Sequence, residues 1–204
     1  MKKSEKTERT KERIIQAALQ EFGTNGYDAF SINTLCNANG ISKGLLYHNF
    51  KGKDELYLIC ITRCFTSLMN YLRQHAPETD LYEYVKLRYA YFSEHPIHAR
   101  LFFEAILQPP PALAGEIRKC KSEFDQFNHQ IYRATLAHRT LRKGVSEEDA
   151  LKYFDMVQEM FNGYFSSPAY SGKDLKTIIA DHEIWLVKMT DFMLYGMIER
   201  SSCS

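Results

Sequence analysis

Hydrophobic residues recur at intervals of three and four along nearly the whole chain, the spacing that places them on one face of an α-helix. The first stripe of this kind consists of Ile15, Ala18, Leu19 and Phe22. It predicts a helix over residues 10–23. Later stripes predict helices over residues 54–75, 81–94, 97–107, 113–141, 147–165 and 175–199. No alternating polar and apolar pattern typical of a strand interrupts them, so we expect an all-α protein.

The segment from Ser31 to Lys53 has a different pattern, with two short predicted helices on either side of a tight turn. Ser31 and Ser42 are good N-cap residues, because a serine hydroxyl accepts hydrogen bonds from the free amides of the first helical turn. Gly40 ends the first of these helices, since glycine adopts the left-handed conformation at little cost. Two helices joined by a glycine-containing turn are typical of a helix-turn-helix.

Together with the helix before it, this segment resembles the N-terminal DNA-binding domain of the TetR/AcrR family of bacterial transcription regulators, over about residues 10–57. The resemblance is carried by Phe22, Gly26, Tyr27, Phe30, Ser31, Leu35, Gly40, Ile41, Ser42, Lys43, Gly44, Leu46, Tyr47, Phe50 and Lys53. It implies a three-helix DNA-binding head followed by a helical ligand-binding and dimerisation domain. We therefore expect a flexible basic arm over residues 1–9, the head over residues 10–57 and the second domain over residues 58–204.

The resemblance also implies a function, that of a transcription regulator which is in most members a repressor released from DNA by a small-molecule effector. A symmetric homodimer would bind double-stranded DNA at a near-palindromic operator. Neither a cofactor nor a membrane partner is expected. A cytoplasmic location is predicted, because the chain has no apolar run long enough to cross a bilayer and no apolar signal-peptide core at its start.

Outward-facing residues of the two short helices are the candidates for DNA contact. Asn33, Lys43 and Leu45 are predicted to face base edges, where an amide pairs with adenine, an ammonium group with guanine and a leucine with the thymine methyl. Gly44 lets the backbone come close. Phosphate contacts are predicted for Ser31, Ser42, Tyr47, His48, Asn49 and Lys53. The resemblance places Asn49 where the family often has a phosphate-binding histidine, which favours Tyr47 and His48 for that contact.

Overall charge does not by itself indicate a nucleic-acid partner, because the net charge is only +1. The basic excess is concentrated at the start of the chain, where residues 1–13 contain six Lys and Arg against three Glu. We expect this arm to be frayed. Contact with the DNA backbone or minor groove is a second interpretation.

The predicted second domain is rich in aromatic residues, and most of them are expected in its core. A helical domain that encloses a pocket would line it with some of these rings, which predicts a bulky, largely apolar effector. The candidate effector residues are His98, Phe102, Phe103, Glu104, Phe127, Phe161 and Trp185. The polar groups expected to orient the effector are His98, Glu104, Asp125 and His129, and core packing is the alternative for each aromatic ring.

The last two predicted helices have apolar faces that are too wide for helices packed on one side only. The resemblance implies that they pair with those of a second subunit as a four-helix bundle. Candidates for that contact are Tyr153, Met156, Met160, Gly163, Met189, Phe192, Met193 and Met197. The alternative is that both apolar stripes belong to the core of one monomer.

Other functions remain as alternatives. Cys60 and Cys64 lie four residues apart on one predicted helix face, so a redox-responsive regulator is the second hypothesis, although small buried thiols are the simpler interpretation. The five cysteines and the histidines show no metal-ligand spacing, and no catalytic motif is present, so neither a metal site nor an enzyme is predicted. An all-helical enzyme and a protein-interaction module complete the alternatives.

Overall fold

The computed structural model describes residues 3–75 and 80–197, apart from the side chains of Lys3, Ser4, Gly196 and Met197. Within this part of the chain the secondary structure consists of nine α-helices and two short 3₁₀ turns, with no strand. The helices are α1 (Lys3–Ala29), α2 (Ile32–Asn39), α3 (Lys43–Asn49), α4 (Lys53–His75), α5 (Leu81–Glu94), α6 (Pro96–Leu107), α7 (Ala114–Ala137), α8 (Glu147–Phe165) and α9 (Leu175–Met197). The all-α prediction is therefore confirmed.

Helix α1 is longer than the hydrophobic stripe predicts. It begins at Lys3, where the sequence suggested a flexible arm, because lysine, glutamate and arginine are good helix formers and pairs such as Glu8 and Lys11 add a little support at 3.5 Å. At the other end it continues beyond Gly23 to Ala29. The continuation is bent at Gly26, whose φ of 80° and ψ of 175° interrupt the helical backbone.

The helices pack into two compact units. The first contains Met1–Thr66 and His95–Lys121, and the second contains Ser67–Glu94 and Ser122–Ser204. Helices α4 and α7 contribute residues to both. The sequence-based division after residue 57 groups α6 with the later helices, whereas in the structure α6 packs against α1 in the first unit.

The first unit has an aromatic core beneath the short helices. Phe22 stacks on Phe30 with ring centroids 3.8 Å apart and meets the edge of Tyr57 at 5.1 Å. Leu46 and Phe50 bury the inner face of α3. Packing of this kind fixes the position of α3, because each large apolar side chain removed from water stabilises the fold by about 1.5–3 kcal/mol.

Glycine allows α6 to approach α1 closely. A Cβ atom at Gly23 would lie 2.4 Å from Cγ2 of Ile97, and one at Gly26 would lie 2.8 Å from both a guanidinium nitrogen of Arg100 and a carboxylate oxygen of Glu104. Real side chains do not approach so closely, so a larger residue at Gly23 would displace Ile97 of α6. At Gly26 it would displace the ends of the Arg100 and Glu104 side chains and would also be strained by the positive φ.

The second unit is built mainly from α5, α8 and α9, with Phe154, Val157 and Phe165 of α8 buried. Helix α8 begins with a reciprocal capping box, in which Ser146 Oγ accepts from the Asp149 amide at 3.0 Å and the Asp149 carboxylate accepts from the Ser146 amide at 3.0 Å. None of the helices in the described ranges is both long and apolar enough to span a lipid bilayer.

Candidate nucleic-acid interface

The helix-turn-helix is held by three local caps that the sequence predicts. Ser31 Oγ accepts from the Thr34 amide at 3.3 Å, and Ser42 Oγ accepts from the Leu45 amide at 3.2 Å. Gly40 ends α2 in the left-handed conformation, with φ 59°. Each cap satisfies backbone groups that a helix end leaves unpaired, so α2 and α3 have well-defined ends despite their eight and seven residues.

A fourth contact at the turn comes from Arg13 of α1, which the sequence analysis did not single out. Its guanidinium donates to the carbonyl oxygens of Asn39 and Gly40, the latter at 3.1 Å. These carbonyls belong to the C-terminal end of α2, where a positive charge also complements the helix dipole. Arg13 therefore fixes the turn to the preceding helix.

Seven of the ten predicted DNA-contacting residues are exposed: Asn33, Ser42, Lys43, Gly44, Leu45, Tyr47 and His48. Leu45 is 37% exposed and Tyr47 is 55% exposed. Leu46 of the same helix is fully buried, so Leu45 and Tyr47 lie on the side of α3 that faces away from the core.

Three predicted phosphate contacts, Ser31, Asn49 and Lys53, are only half exposed. Asn49 donates from its side-chain amide to the Leu45 carbonyl at 2.8 Å. The Lys53 ammonium lies 4.1 Å from the centre of the Tyr27 ring and 3.4 Å from the Asp28 carbonyl oxygen. Asn49 and Lys53 thus have partners within the protein, and any contact with DNA must be shared with these partners or replace them.

Gly44 has no structural reason to be glycine in the isolated chain. It lies inside α3, its φ is not positive, and a Cβ atom built there would meet nothing within 4 Å. A glycine inside a helix is less favourable than alanine by about 1 kcal/mol. The open space in front of Gly44 is therefore available to another molecule.

Residues 14–59 match the model of the family described as "Bacterial regulatory proteins, tetR family". The match covers 46 of the 204 residues. The matched residues begin within α1 and include all of α2 and α3, so the similarity to the family rests on the helix-turn-helix and on the helices that flank it.

Several curated HTH-type transcriptional regulators resemble part of the chain. The HTH-type transcriptional regulator RutR of Escherichia coli K12 is 26% identical over 120 residues, which is 57% of each protein. The biofilm operon icaADBC negative transcriptional regulator IcaR of Staphylococcus epidermidis is 24% identical over 121 residues, covering 58% of this chain and 65% of IcaR. The similarity thus spans less than two thirds of either relative.

Solved TetR-family structures share the fold over nearly the whole chain. SmeT, the repressor of the Stenotrophomonas maltophilia multidrug efflux pump SmeDEF, has a TM-score of 0.62 at 17% identity, covering 93% of this chain and 91% of SmeT. A TetR-family regulator from Mesorhizobium loti has the same TM-score at 16% identity, covering 95% of this chain and 98% of that one. At such low identity these similarities establish the fold alone.

Four of the predicted effector residues belong to the first unit. Phe102 and Phe103 are buried, with ring centroids 5.3 Å apart, and His98 is half-buried beside His95. Glu104 accepts from the Tyr27 amide at 2.9 Å and from the Tyr57 hydroxyl at 3.2 Å. Burial raises the pKa of Glu104 and lowers that of His98. The bonds made by Glu104 join α6 to the bent end of α1 and to α4.

The other three predicted effector residues belong to the second unit. Phe127 is buried and has the Arg73 guanidinium 5.1 Å from its ring centre. Phe161 is half-buried, with its ring 4.7 Å from that of His182. Trp185 is 45% exposed, and the Lys188 ammonium lies 4.5 Å from its ring. Each of these rings has a neighbour within its unit, and a role in effector binding stays a prediction.

The predicted dimerisation residues differ in exposure. Tyr153, Met156 and Met160 are 42%, 50% and 63% exposed, Phe192 is 59% exposed, and Gly163 lies in the open. Met189 is half-buried. Met193 is 6% exposed, so its side chain packs inside the second unit, because α9 turns this position toward α5 and α8. The side chain of Met197 lies outside the described residues.

The cysteines proposed as a redox sensor are buried. Cys60 and Cys64 are 0% and 1% exposed. Burial raises the pKa of Cys60 to about 12 and raises that of Cys64 as well. The thiolate is the form that reacts with oxidants, so this environment disfavours redox sensing by the pair. Over residues 3–75 and 80–197, no group of three or more His, Cys, Asp or Glu is placed to hold a metal ion.

Sequence periodicity does not detect the contact of Arg13 with the turn, nor the hydrogen bonds by which Glu104 joins α6 to α1 and α4. Arg13 lies just before Ile14, the first hydrophobic position of α1, and contacts a carbonyl 27 residues later. Because the guanidinium and its partner carbonyl lie so far apart in the sequence, the spacing of hydrophobic residues along a helix does not indicate their contact. Only the packing of α1 beside the turn identifies the contact.

Arg13→Ala should weaken DNA binding by about 3- to 10-fold without removing any predicted DNA contact. The change leaves two carbonyls at the end of α2 without their donor, a loss of about 1–3 kcal/mol when a charged donor is removed. Lysine can supply the charge but not the fork of donors, so Arg13→Lys should be intermediate. Fluorescence anisotropy with labelled operator DNA measures both variants, and equal binding by all three proteins would contradict this role.

Proposed function

We propose that the protein is a dimeric, sequence-specific DNA-binding regulator of transcription in which α3 reads an operator. The observation that carries this proposal is the outer surface of α3, where Leu45 and Tyr47 are exposed beside the open space at Gly44. Regulators of the TetR family bind DNA operators and form dimers. A helix with fixed ends and an apolar, polar and basic outer face has the chemistry that the major groove requires.

Within this proposal, Lys43, Asn33 and Leu45 face base edges. The Lys43 ammonium donates to guanine, the Asn33 amide pairs with adenine, and Leu45 packs against a thymine methyl. Phosphate contacts come from Ser31, Ser42, Tyr47, His48, Asn49 and Lys53 and hold the head in register. Because Lys53 already contacts Tyr27 and Asp28, its ammonium is positioned before DNA arrives.

The exposed side of the last two helices supports a homodimer. Tyr153, Met156, Met160 and Tyr164 follow one another on α8 at intervals of three and four, so they form one exposed stripe. Helix α9 also has exposed apolar residues along its length, namely Ile184, Trp185, Val187, Phe192 and Tyr195. A contiguous apolar surface of this kind is typical of a protein interface, and two copies that share it as a four-helix bundle would present two heads to a near-palindromic operator.

A small-molecule effector is the proposed signal, and repression is the proposed mode. SmeT and IcaR are described as a repressor and a negative regulator respectively, and both belong to the same family. Release from DNA requires an effector that binds the DNA-incompetent state more tightly, with a coupling free energy of about 1–3 kcal/mol. The aromatic character of the second unit favours a largely apolar compound.

A salt-titrated gel shift tests the central proposal. The full-length protein is mixed with the DNA upstream of its own coding region and with a shuffled sequence of equal composition. The slope of log affinity against log salt counts phosphate contacts, and the ratio of the two affinities measures specificity. We expect a ratio above about 1,000, as specific regulators show. A ratio near one at every salt concentration would falsify sequence-specific binding.

Lys43→Ala should relax specificity rather than remove binding. Loss of one guanine contact costs about 1–3 kcal/mol on the operator and much less on shuffled DNA. Lys51→Ala is a matched control, because Lys51 is an exposed lysine of the same head to which no base contact is assigned. Equal losses on both DNAs for Lys43→Ala, measured by anisotropy, would assign Lys43 to phosphate instead.

Gly44→Ala should stabilise the free protein and weaken operator binding. The methyl group enters open space and raises helix propensity, a gain of about 0.5–1 kcal/mol in the free energy of unfolding. The same methyl group separates α3 from the DNA, and we expect at least a 10-fold loss of operator affinity. Urea unfolding and anisotropy give the two values.

Gly115→Ala is the matched control for this pair of effects. Gly115 lies in α7, also with nothing within 4 Å of a built Cβ atom. The Gly115→Ala substitution should leave operator affinity unchanged. If Gly44→Ala bound the operator as tightly as the unmodified protein, the backbone of α3 would not approach DNA closely.

A further inference from the structure

A polar cluster lies in the interior of the second unit and is not used by the DNA-binding surface. It joins Arg88 of α5, Asn162 of α8 and the neighbouring residues His182 and Glu183 of α9. The side chains of Arg88, His182 and Glu183 are 9%, 3% and 2% exposed. Charged and polar groups are expensive to bury, so a cluster of this size inside a helical domain requires an explanation.

The hydrogen bonds of the cluster converge on one oxygen of Glu183. Oε1 of Glu183 lies 3.0 Å from a terminal guanidinium nitrogen of Arg88 and 3.1 Å from Nδ1 of His182. The other imidazole nitrogen, Nε2, lies 3.0 Å from Oδ1 of Asn162. The carboxylate oxygen thus connects α5 to α9, and the His182 ring connects α9 to α8.

The second oxygen of Glu183 is buried and accepts no hydrogen bond from any residue in the described parts of the chain. A buried carboxylate oxygen without a donor destabilises the fold, because the hydrogen bonds it made to water are lost and not replaced. Stability of the fold does not account for it, because apolar side chains of similar volume usually replace buried ion pairs without loss. The free oxygen is an acceptor for a molecule that enters from outside.

The surroundings of the cluster define what kind of molecule could donate to this oxygen. The rings of Phe161 and Phe165 lie 4.7 and 4.9 Å from that of His182, and the Arg88 guanidinium lies 5.4 Å from the Phe92 ring. Burial lowers the pKa of His182, which leaves its ring uncharged near neutral pH. Arg88 and Glu183 form an ion pair that carries no net charge of its own.

We propose that Oε2 of Glu183 is the recognition atom for the effector, and that the effector is an uncharged, largely aromatic molecule with one N–H or O–H donor. The donor of the effector supplies the hydrogen bond that Oε2 lacks, while the phenylalanine rings contact the apolar part of the effector. A site with one unpaired acceptor rejects a molecule that lacks the donor, because the acceptor then stays unpaired beneath it. This inference rests on the proposed effector-responsive function and specifies its chemistry.

Indole and benzofuran form a matched pair of probes, because they have nearly the same shape and differ in an N–H group against an oxygen atom. Ligand-detected NMR titrations with the full-length protein should show indole binding at least 10-fold more tightly than benzofuran. Glu183→Gln places an amide N–H where Oε2 was, so the preference for indole should disappear. Asp181→Asn, a change of the same kind at a half-exposed position of α9, should keep it.

Each outcome has a defined meaning. Equal binding of the two probes, or no binding of indole to the unmodified protein, overturns the inference and leaves an internal water molecule as the partner of Glu183. That measurement needs no variant, so a Glu183→Gln protein that fails to fold does not affect it. Operator binding measured on the same samples separates the two proposals, since discrimination between the probes without operator binding would contradict the regulator function alone.

Discussion

Met160→Glu is expected to convert the protein into a monomer and to lower its affinity for operator DNA by about 100-fold or more. Met160 is 63% exposed in the middle of the α8 stripe, so the fold of one subunit tolerates a charge there. If the α8 stripe forms the subunit interface, the new carboxylate would be buried among the apolar residues of that stripe, and burying a charge in this way is strongly unfavourable. Two linked heads bind more tightly than one by about 10²–10⁴-fold, and this gain disappears when the heads separate.

Sedimentation equilibrium and anisotropy on the same samples measure mass and operator affinity. Tyr89→Glu is the control, because Tyr89 is 52% exposed in the second unit but lies on α5 and outside the stripe. It should stay dimeric and bind operator normally. If Met160→Glu kept the mass of a dimer, the α8 stripe would not be the subunit interface, and Ile184 and Phe192 of α9 would become the next positions to change.

Glu104→Leu is expected to lower the free energy of unfolding by about 3 kcal/mol, the largest stability effect that we predict. Leucine fills a similar volume but leaves the Tyr27 amide and the Tyr57 hydroxyl without their acceptor, at about 1–3 kcal/mol each. Tyr57 is fully buried, so water cannot replace the carboxylate at its hydroxyl. Glu104→Gln keeps an acceptor for the Tyr27 amide and should lose less than about 1 kcal/mol, as measured by urea unfolding.

The pH dependence of these two proteins provides an independent check. Burial raises the pKa of Glu104 above its ordinary value of 4.5, so the folded protein binds this proton more tightly than the unfolded chain does. The stabilising contribution is complete below the unfolded pKa and is lost as the pH rises through the folded pKa. From about pH 4.5 upward, the unmodified protein should lose stability relative to Glu104→Gln. A difference that stays constant with pH would mean that Glu104 is not buried as described.

Local features of the fold were predictable from sequence because they depend on neighbouring residues. The caps at Ser31 and Ser42, the turn at Gly40 and the capping box at Ser146 all act within three or four positions, and the structure contains each of them. The outward positions of Lys43, Leu45 and Tyr47 follow from the same periodicity, because Leu46 and Phe50 face the core.

Features that depend on packing between distant helices were not predictable in this way. In the sequence, Gly26 stood out only through the family resemblance. The bend of α1 at Gly26 lies against the side chains of Arg100 and Glu104, more than 70 residues later in the chain. Met193 and its neighbour Phe192 are both apolar, yet Met193 is buried and Phe192 is exposed. Which of the two is buried depends on how α9 packs in the second unit. Periodicity identifies an apolar face but not the helix that covers it.

The packing of α6 against α1 has a consequence for the order in which the chain can fold. During synthesis the helix-turn-helix emerges first, yet the acceptor for the Tyr27 amide and the Tyr57 hydroxyl is on α6, which ends at Leu107. The head therefore completes its core only after about half of the chain has left the ribosome. For the same reason, a chimeric regulator made by transplanting residues 1–57 onto another body would leave α6 behind, whereas a transplant that includes residues 95–121 would take it along.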